Sequence, residues 1–216
     1  MTGYISRETP FSTLKEVVAP EHSAVLVIDM QNDCCLPDGA LDKMGLDVSA
    51  RMAMIPVLAS FLAKARQVGA LVVYSQHATL LSGASNSPAY VYYMKRRFTV
   101  PTAVEGSWGQ GIVQDLAPRE HEPIVRKHRG NAFAGTDLDQ ILRCNGVQTI
   151  IATGVSTENC VESTVRDAAH HDYYVVIAED CVASSNQAFH KASLEMMRAR
   201  HDVVTSQNII RLWSAG

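Results

Sequence analysis

Short apolar segments alternate with helical patterns along most of this sequence. Helices are predicted over 48–68, 136–146, 157–171 and 185–200 from the spacing of apolar residues. The apolar segments AVLVIDM (24–30), ALVVYSQH (70–77), PIVRKH (123–128), TIIATG (149–154), YYVVIAEDC (173–181) and DVVTSQNII (202–210) predict six strands. Strands that alternate with helices pair in parallel through right-handed crossovers. The pattern therefore predicts an α/β fold, a three-layer α/β/α sandwich with a six-stranded, mainly parallel sheet.

Length and composition fit one packed domain. The chain has 216 residues, of which 47% are hydrophobic and 19% charged, so we expect a packed core rather than disorder. Residues 1–22 are polar with scattered aromatics and are predicted to form an extended N-terminal arm. The domain itself is predicted over 23–216. The segment 78–109 is rich in Ser, Asn, Gly and Tyr, and we expect a long loop with little regular structure there.

Charge and hydropathy argue against nucleic acid and membranes as partners. The net charge is -3, and acidic and basic residues are interspersed, so no basic surface is expected. No apolar run approaches the roughly 20 residues of a membrane span, and the first residues lack the layout of a signal peptide. The odd number of cysteines, five, and the lack of a signal peptide argue against a disulfide framework, and the absence of a CxxC pair argues against a thiolate zinc site. We therefore expect a cytoplasmic protein.

Three chemically reactive side chains fall at the ends of predicted strands. Asp29 follows the first strand, Lys127 lies near the end of the third, and Cys160 follows the fourth within GVSTENCVES. Ligands bind at the carboxyl ends of the strands in such sheets. The N–H groups and dipole at the start of a helix favour a thiolate, which predicts a lowered pKa for Cys160. Asp29 could accept the thiol proton, and Lys127 could keep that carboxylate ionised.

Each of these residues also has a structural interpretation. A buried cysteine often belongs to the core, an aspartate after a strand often forms a turn, and a lysine at a strand end is usually solvated. The three together favour a catalytic site. Two other classes of function stay open: a catalytically silent binding domain, and a redox sensor in which Cys34 or Cys35 resolves an oxidised Cys160.

Three motifs resemble the isochorismatase-like cysteine hydrolase superfamily. They are AVLVIDMQND (24–33), VRKHRGNAFAGTDLDQIL (125–142) and IIATGVSTENCVESTVRDA (150–168). The resemblance covers about residues 22–212 and implies a Rossmann-like, isochorismatase-like hydrolase fold. It implies a catalytic triad of Asp29, Lys127 and Cys160. It also implies a cis peptide between Val155 and Ser156, and an oxyanion held by the backbone N–H groups of Ser156 and Cys160.

The resemblance further implies hydrolysis of a C–N bond in a small amide, ureide or N-carbamoyl compound through a thioester. Family members that hydrolyse the vinyl ether of isochorismate generally lack a cysteine at the position of Cys160, so the chain resembles the amidohydrolase branch. Nicotinamidases of the family carry a metal-binding Asp-x-His and a further His after the second strand. Here SQHATLLSG contains only His77. We therefore expect no metal or other cofactor, and nicotinamidase-type activity is the alternative.

Residues that follow strand ends are candidates for substrate contacts. Each of them could instead serve to pack a loop. The candidates are Gln76, His77, Asn131 and Phe133. His128 and Arg129 could bind an anionic substrate group or be solvated, and Cys34 could line the pocket near Asp29. Because the family is commonly dimeric or tetrameric, the resemblance implies a homodimer or homotetramer that acts on a small-molecule amide or ureide.

Overall fold

The computed structural model describes residue 6 and residues 9–214, and this part of the chain forms a six-stranded sheet between two layers of helices. The strands are β1 Ser23–Ile28, β2 Leu71–His77, β3 Ile124–Lys127, β4 Thr149–Val155, β5 Tyr174–Ala183 and β6 Asp202–Val204. Their order is β3-β2-β1-β4-β5-β6, and every neighbouring pair is parallel. This is the order of doubly wound sheets, so the predicted α/β/α sandwich is confirmed.

Nine helices lie in the described part of the chain, together with short turns of other helical types. The helices are α1 Leu14–Val17, α2 Asn32–Cys35, α3 Ala40–Lys43, α4 Ser49–Val68, α5 Pro88–Met94, α6 Leu138–Cys144, α7 Glu162–His170, α8 Gln187–Arg198 and α9 Ser206–Ser214. Turns of 3-10 helix occupy Pro20–His22, Trp108–Gln110 and Gln114–Leu116, and a π-helical turn occupies Thr157–Val161. No helix in this part is long and apolar enough to cross a membrane.

The central strand β1 is buried on both faces and divides the core in two. Val25 and Val27 pack with the buried residues of α4 and α9, whereas Ala24, Leu26 and Ile28 pack with those of α6 and α7. A strand covered on both faces is apolar throughout because successive side chains point to opposite sides. This burial fixes the end of β1, and with it the position of Asp29.

Residues 9–22, the continuous described stretch before β1, pack onto the domain and contain α1, so this part of the predicted arm is not extended. Thr13 and Glu16 form a capping box at the start of α1, and Val17 and Val18 are buried. Phe11 stacks on His22 with ring centroids 4.7 Å apart. A capping box ties the helix start to its own side chains, which an extended chain cannot do. Residues 1–5, 7 and 8, which the predicted arm includes, lie outside the described residues.

The last predicted strand is wrong over most of its length. β6 ends at Val204, and α9 begins at Ser206. The Asp180 carboxylate accepts hydrogen bonds from the backbone N–H and the hydroxyl of Ser206 at 2.6 and 2.7 Å, which satisfies a free donor at the helix start. Trp213 then stacks on Phe61 at 5.3 Å. Burial of this helix face outweighed the β propensity of the isoleucines.

The predicted long loop at 78–109 contains the helix α5. Ser87 is its N-cap, with the hydroxyl accepting a hydrogen bond from the N–H of Tyr90 at 3.2 Å, and Pro88 is the first helical residue. A serine cap followed by proline is a favourable helix start. The aromatic and β-branched composition of the helix obscured this signal in the sequence. The segment therefore places a helix over the sheet edge instead of an irregular loop.

Gly154 permits the close approach of β1 and β4. Its φ is 106°, and a Cβ built there would lie 2.0 Å from the carbonyl oxygen of Ile28. No other residue type tolerates both the left-handed backbone and that contact. This glycine therefore sets how tightly the strands bearing Asp29 and the Cys160 turn come together.

We expect Gly154→Ala to lower the free energy of unfolding by about 3 kcal/mol or more, because the added methyl group overlaps backbone atoms of β1. Gly45→Ala is the matched control. Gly45 also has positive φ, 75°, but nothing lies within 4 Å of the added Cβ. Gly45→Ala should lower the free energy of unfolding by about 1 to 2 kcal/mol, because only the strain of a left-handed backbone is added. Urea denaturation measures both, and equal losses would contradict the close-contact explanation.

Candidate active site

Asp29 and Lys127 form a buried ion pair at the carboxyl edge of the sheet. The Lys127 Nζ lies 2.6 Å from Asp29 Oδ2, and the side chains are 0% and 4% exposed. The hydroxyl of Ser75 donates to Asp29 Oδ1 at 2.9 Å. Lys127 ends β3, two strands from β1, so its side chain reaches past the end of β2 to meet the aspartate. The sequence prediction that these two residues meet is therefore correct.

The surroundings of Lys127 match the ammonium group. Besides Asp29, Nζ donates to the carbonyl oxygens of Arg129 and Gly130 at 2.9 and 2.8 Å. The number of acceptors, three, matches the number of N–H donors on an ammonium group. Burial lowers the pKa of Lys127, but the charge of Asp29 and the neighbouring Cys160 outweigh it, so the pKa is raised overall. The lysine is therefore a fixed cation.

Backbone geometry directs the Asp29 side chain into the site. Its φ is 51°, in the left-handed region that aspartate enters more readily than most residues. The backbone N–H of Asp29 donates to the carbonyl of Ser75, and its carbonyl accepts from the N–H of Gln31. The side chain of Gln31 then bridges to the backbone of His77 in both directions, at 2.9 Å each. The ends of β1 and β2 are thus joined around the carboxylate.

Cys160 lies in the π-helical turn that connects β4 to α7. Thr157, at the start of this turn, is fully buried, and its hydroxyl lies 2.8 Å from Nδ1 of His190 on α8. The hydroxyl of Thr164 donates to the carbonyl of Cys160 at 2.7 Å. The peptide bond between Val155 and Ser156, directly before the turn, is cis. Contacts from α7 and α8 therefore hold the turn that presents the thiol.

The environment raises the pKa of the Cys160 thiol to about 12. Burial is the main cause, Lys127 opposes it, and the Asp29 carboxylate adds to it. The lowered pKa predicted from the helix start is therefore wrong for the resting site. Desolvation disfavours the charged thiolate more than the nearby cation favours it. The thiol is protonated at neutral pH, and Asp29 is a carboxylate placed beside it.

A cavity of about 170 Å³ joins these residues, and Asp29, His77 and Cys160 line one side of it. Tyr90, Met94, Arg97 and Phe98, from α5 and the residues after it, line the other side. Pockets for drug-sized ligands span about 300–1,000 Å³, so this cavity suits a smaller molecule. The helix that the sequence prediction missed therefore supplies the cover of the site.

The structure brings one of the four predicted substrate contacts to this cavity, namely His77. The Asn131 amide donates to Asp167 at 2.6 Å, and Phe133 stacks on His171 at 4.8 Å, so both pack against α7. The Gln76 amide donates to the carbonyl of Gln110 at 3.1 Å. These three side chains do not line the cavity, and their contacts match the loop-packing role that the sequence left open for each of them.

His77 is neutral, and its neighbours are fixed by the residues after β3. Burial lowers the pKa of His77 to about 4. Its Nε2 lies 3.4 Å from the hydroxyl of Tyr90. The guanidinium of Arg129 stacks over the Tyr90 ring at 4.2 Å, and His128 hydrogen-bonds the carbonyl of Ala78. Arg129 and His128 therefore hold the cover of the cavity and do not line it.

Sequence reasoning missed Arg51, Tyr90, Arg97 and Asn159 as lining residues, whereas the prediction that Cys34 lines the pocket is confirmed. Arg51 lies on the buried face of α4, in line with Met54 and Leu58, and nothing in its spacing indicates a role in the site. Tyr90 and Arg97 lie in the segment predicted as a loop. Within residue 6 and residues 9–214, no group of three or more His, Cys, Asp or Glu side chains could hold a metal ion.

Comparison with known proteins places this arrangement in a family. Residues 23–209 match the Isochorismatase domain. A ureidoacrylate amidohydrolase from Klebsiella pneumoniae subsp. pneumoniae is 34% identical over 182 residues, which are 79% of this chain and 77% of that protein.

Solved structures agree with the sequence match. An isochorismatase family protein from Desulfovibrio vulgaris subsp. vulgaris has a TM-score of 0.78 at 30% identity, covering 90% of this chain and 99% of that one. A cysteine hydrolase from Pseudomonas syringae pv. phaseolicola has a TM-score of 0.82 at 26% identity, covering 100% and 99%. The resemblance indicated by the three motifs is confirmed, and the chain belongs to the isochorismatase family.

Proposed function

We propose that this chain hydrolyses a C–N bond of a small ureide or related amide, with Cys160 as the nucleophile. The observation that carries the proposal is that Asp29 and Cys160 line one small cavity while the buried Lys127 forms an ion pair with Asp29. A thiol beside a carboxylate and a fixed cation is an arrangement suited to nucleophilic attack on a carbonyl. Family membership and the ureidoacrylate amidohydrolase relative support the substrate class.

The first half of the reaction forms a thioester. Asp29 accepts the thiol proton as the Cys160 Sγ bonds to the carbonyl carbon. The C–N bond then breaks, and Asp29 gives that proton to the departing nitrogen. The buried cation of Lys127 keeps Asp29 ionised before attack and stabilises the developing negative charge on sulfur.

The backbone N–H groups of Ser156 and Cys160 are the proposed donors to the oxyanion. Both residues line the cavity, and the cis peptide immediately precedes the Ser156 donor. Fixed backbone donors stabilise a tetrahedral intermediate because they need no reorganisation when its charge develops.

The second half of the reaction cleaves the thioester. Water attacks its carbonyl carbon, and Asp29 takes a proton from that water. The C–S bond then breaks, and Asp29 returns the proton to the sulfur, which regenerates the Cys160 thiol. The product is a carboxylic or carbamic acid, and a carbamic acid breaks down to carbon dioxide and either ammonia or an amine, depending on which C–N bond was cleaved first. The proposed cycle therefore needs one group, Asp29, to act twice as a base and twice as an acid.

We expect Cys160→Ala to abolish ammonia release from a panel of small amides and ureides. The panel contains N-carbamoyl amino acids, ureidoacrylate, biuret, maleamate and nicotinamide, each with and without a chelator. Loss of the nucleophile removes the covalent path, so the rate should fall by about 10⁴-fold or more. Cys144→Ala is the matched control, since Cys144 is exposed and outside the cavity, and it should keep the wild-type rate.

The same panel tests the other functions that the sequence left open. Turnover that persists in Cys160→Ala would contradict the nucleophile. A wild type that releases no ammonia from any member would contradict the proposed class and favour a binding or redox role, for which Cys34 lies in the same cavity. Activity lost with chelator would contradict the expected metal-free reaction, and resistance would support it.

We expect kcat/KM to change by less than about threefold between about pH 6 and pH 9 for a ureide that does not titrate in that interval. The pKa of Lys127 is raised, so it stays charged, and the pKa of His77 is lowered to about 4, so it stays neutral. The pKa of Cys160 is about 12, so its proton leaves only during attack. A rise with a midpoint inside this interval would contradict a protonated resting thiol. Initial rates from a stopped assay measure the profile.

A further inference from the structure

Arg51 is a buried cation at the wall of the cavity. It lies in the first turn of α4, is 2% exposed, and lines the cavity together with Asp29 and Cys160. Its Nη1 donates to the carbonyl of Cys34 and its Nη2 to the hydroxyl of Ser156, both at 2.7 Å. Its Nε has no hydrogen-bond partner among the described residues. A guanidinium carries five N–H bonds, so three remain unused by this part of the chain.

No carboxylate of the described chain pairs with Arg51. Asp29 is paired with Lys127. Asp33 accepts from the backbone N–H groups of Ala40 and Ala103. Glu158 faces Arg97 at 3.7 Å. Glu158 Oε2 has no hydrogen-bond partner among the described residues, but no ion pair joins Glu158 to Arg51, so Arg51 is left without a paired counter-charge.

The position of Arg51 is unfavourable unless an anion joins it. A buried charge is stable when it is paired, and the positive end of the helix dipole at the start of α4 adds repulsion. The first turn of α4 contains no acidic residue, and the carboxylate at the helix start, Asp47, is exposed and accepts from the Ser49 N–H at 2.8 Å. An anionic ligand in the cavity would supply the missing counter-charge.

We propose that Arg51 binds a carboxylate of the substrate, so that the substrates are short ureido or N-carbamoyl acids and not neutral ureides. This inference rests on the proposed hydrolysis and assigns its substrate class. Arg51 contacts the Ser156 side chain, and the Ser156 N–H is the proposed donor to the reacting carbonyl. A carboxylate on Arg51 is therefore joined to that carbonyl by a short spacer, as the small cavity also requires.

A matched pair of substrates tests the proposal. N-carbamoyl-β-alanine carries the carboxylate, and its methyl ester does not, while ammonia release reports cleavage of the same carbamoyl group in both. We expect the wild type to prefer the acid by about tenfold or more in kcat/KM, as for one charge-assisted hydrogen bond. Arg51→Met should remove this preference by raising KM for the acid, and Arg51→Lys should keep part of it.

Arg97→Met is the matched control. Arg97 lines the same cavity but is paired with Glu158, so its removal takes away one positive charge without the proposed contact. It should keep the preference for the acid. Equal rates for acid and ester in the wild type, an equal loss for both in Arg51→Met, or a lost preference in Arg97→Met would each overturn the assignment to Arg51. Thermal unfolding establishes that each variant is folded.

Alkylation of Cys160 tests the proposal without turnover. Iodoacetate and iodoacetamide differ in the same charge, and peptide mass mapping follows the modification of Cys160 by each. We expect the iodoacetate rate divided by the iodoacetamide rate to fall by about tenfold from wild type to Arg51→Met. In Arg97→Met the same ratio should change little. An unchanged ratio in Arg51→Met would overturn the proposal. A different result is that the wild type hydrolyses neither N-carbamoyl-β-alanine nor its ester while Arg51→Met still lowers the ratio of alkylation rates. That result would support the carboxylate site and contradict the proposed hydrolysis.

Discussion

The buried ion pair between Lys127 and Asp29 is the interaction on which the site depends. Two charges removed from water are costly, and their attraction compensates only when the remaining hydrogen-bonding capacity is satisfied. Here Ser75 completes the carboxylate, and the carbonyls of Arg129 and Gly130 complete the ammonium. Loss of either partner would leave the other charge buried and unpaired. The pair therefore fixes the end of β1 relative to the end of β3. It also fixes the position of the residues that follow β3.

The residues that follow β3 carry this constraint to the cover of the cavity. Because Lys127 holds the carbonyl of Arg129, the Arg129 side chain is directed toward Tyr90 on α5. The same guanidinium donates to the carbonyl of Ser85, directly before that helix. The cation that orients Asp29 thus also positions, through the backbone of Arg129, the helix over the reacting groups. In the proposed reaction, stabilisation of charge at the nucleophile and exclusion of water would therefore come from one set of contacts.

The sequence predicted the sheet and the meeting of Asp29, Lys127 and Cys160 because both follow from short-range patterns. Apolar strands alternate with helices, and the ends of parallel strands share one edge. The missed features depend on partners distant in the chain. Ser206 starts a helix because Asp180 accepts its two donors, and Arg51 reaches the site because α4 crosses behind Cys34 and Ser156. Some local signals were present but weak, such as the capping pair Thr13 and Glu16.

The pKa of Cys160 shows how a local pattern can predict the wrong direction. The start of a helix favours a thiolate, but burial beside the Asp29 carboxylate opposes ionisation more strongly, and the pKa rises to about 12. In the proposed reaction the Cys160 thiol can therefore line the cavity without being reactive before substrate binds. A protonated thiol reacts slowly with passing electrophiles, since the thiolate is the nucleophile. A carbonyl held against the backbone donors lowers the free energy of the charged state that proton transfer to Asp29 creates. Substrate binding itself then activates the nucleophile. Because the Lys127 ammonium is already in place, the proton of Cys160 can pass to Asp29 without the movement of another charged group.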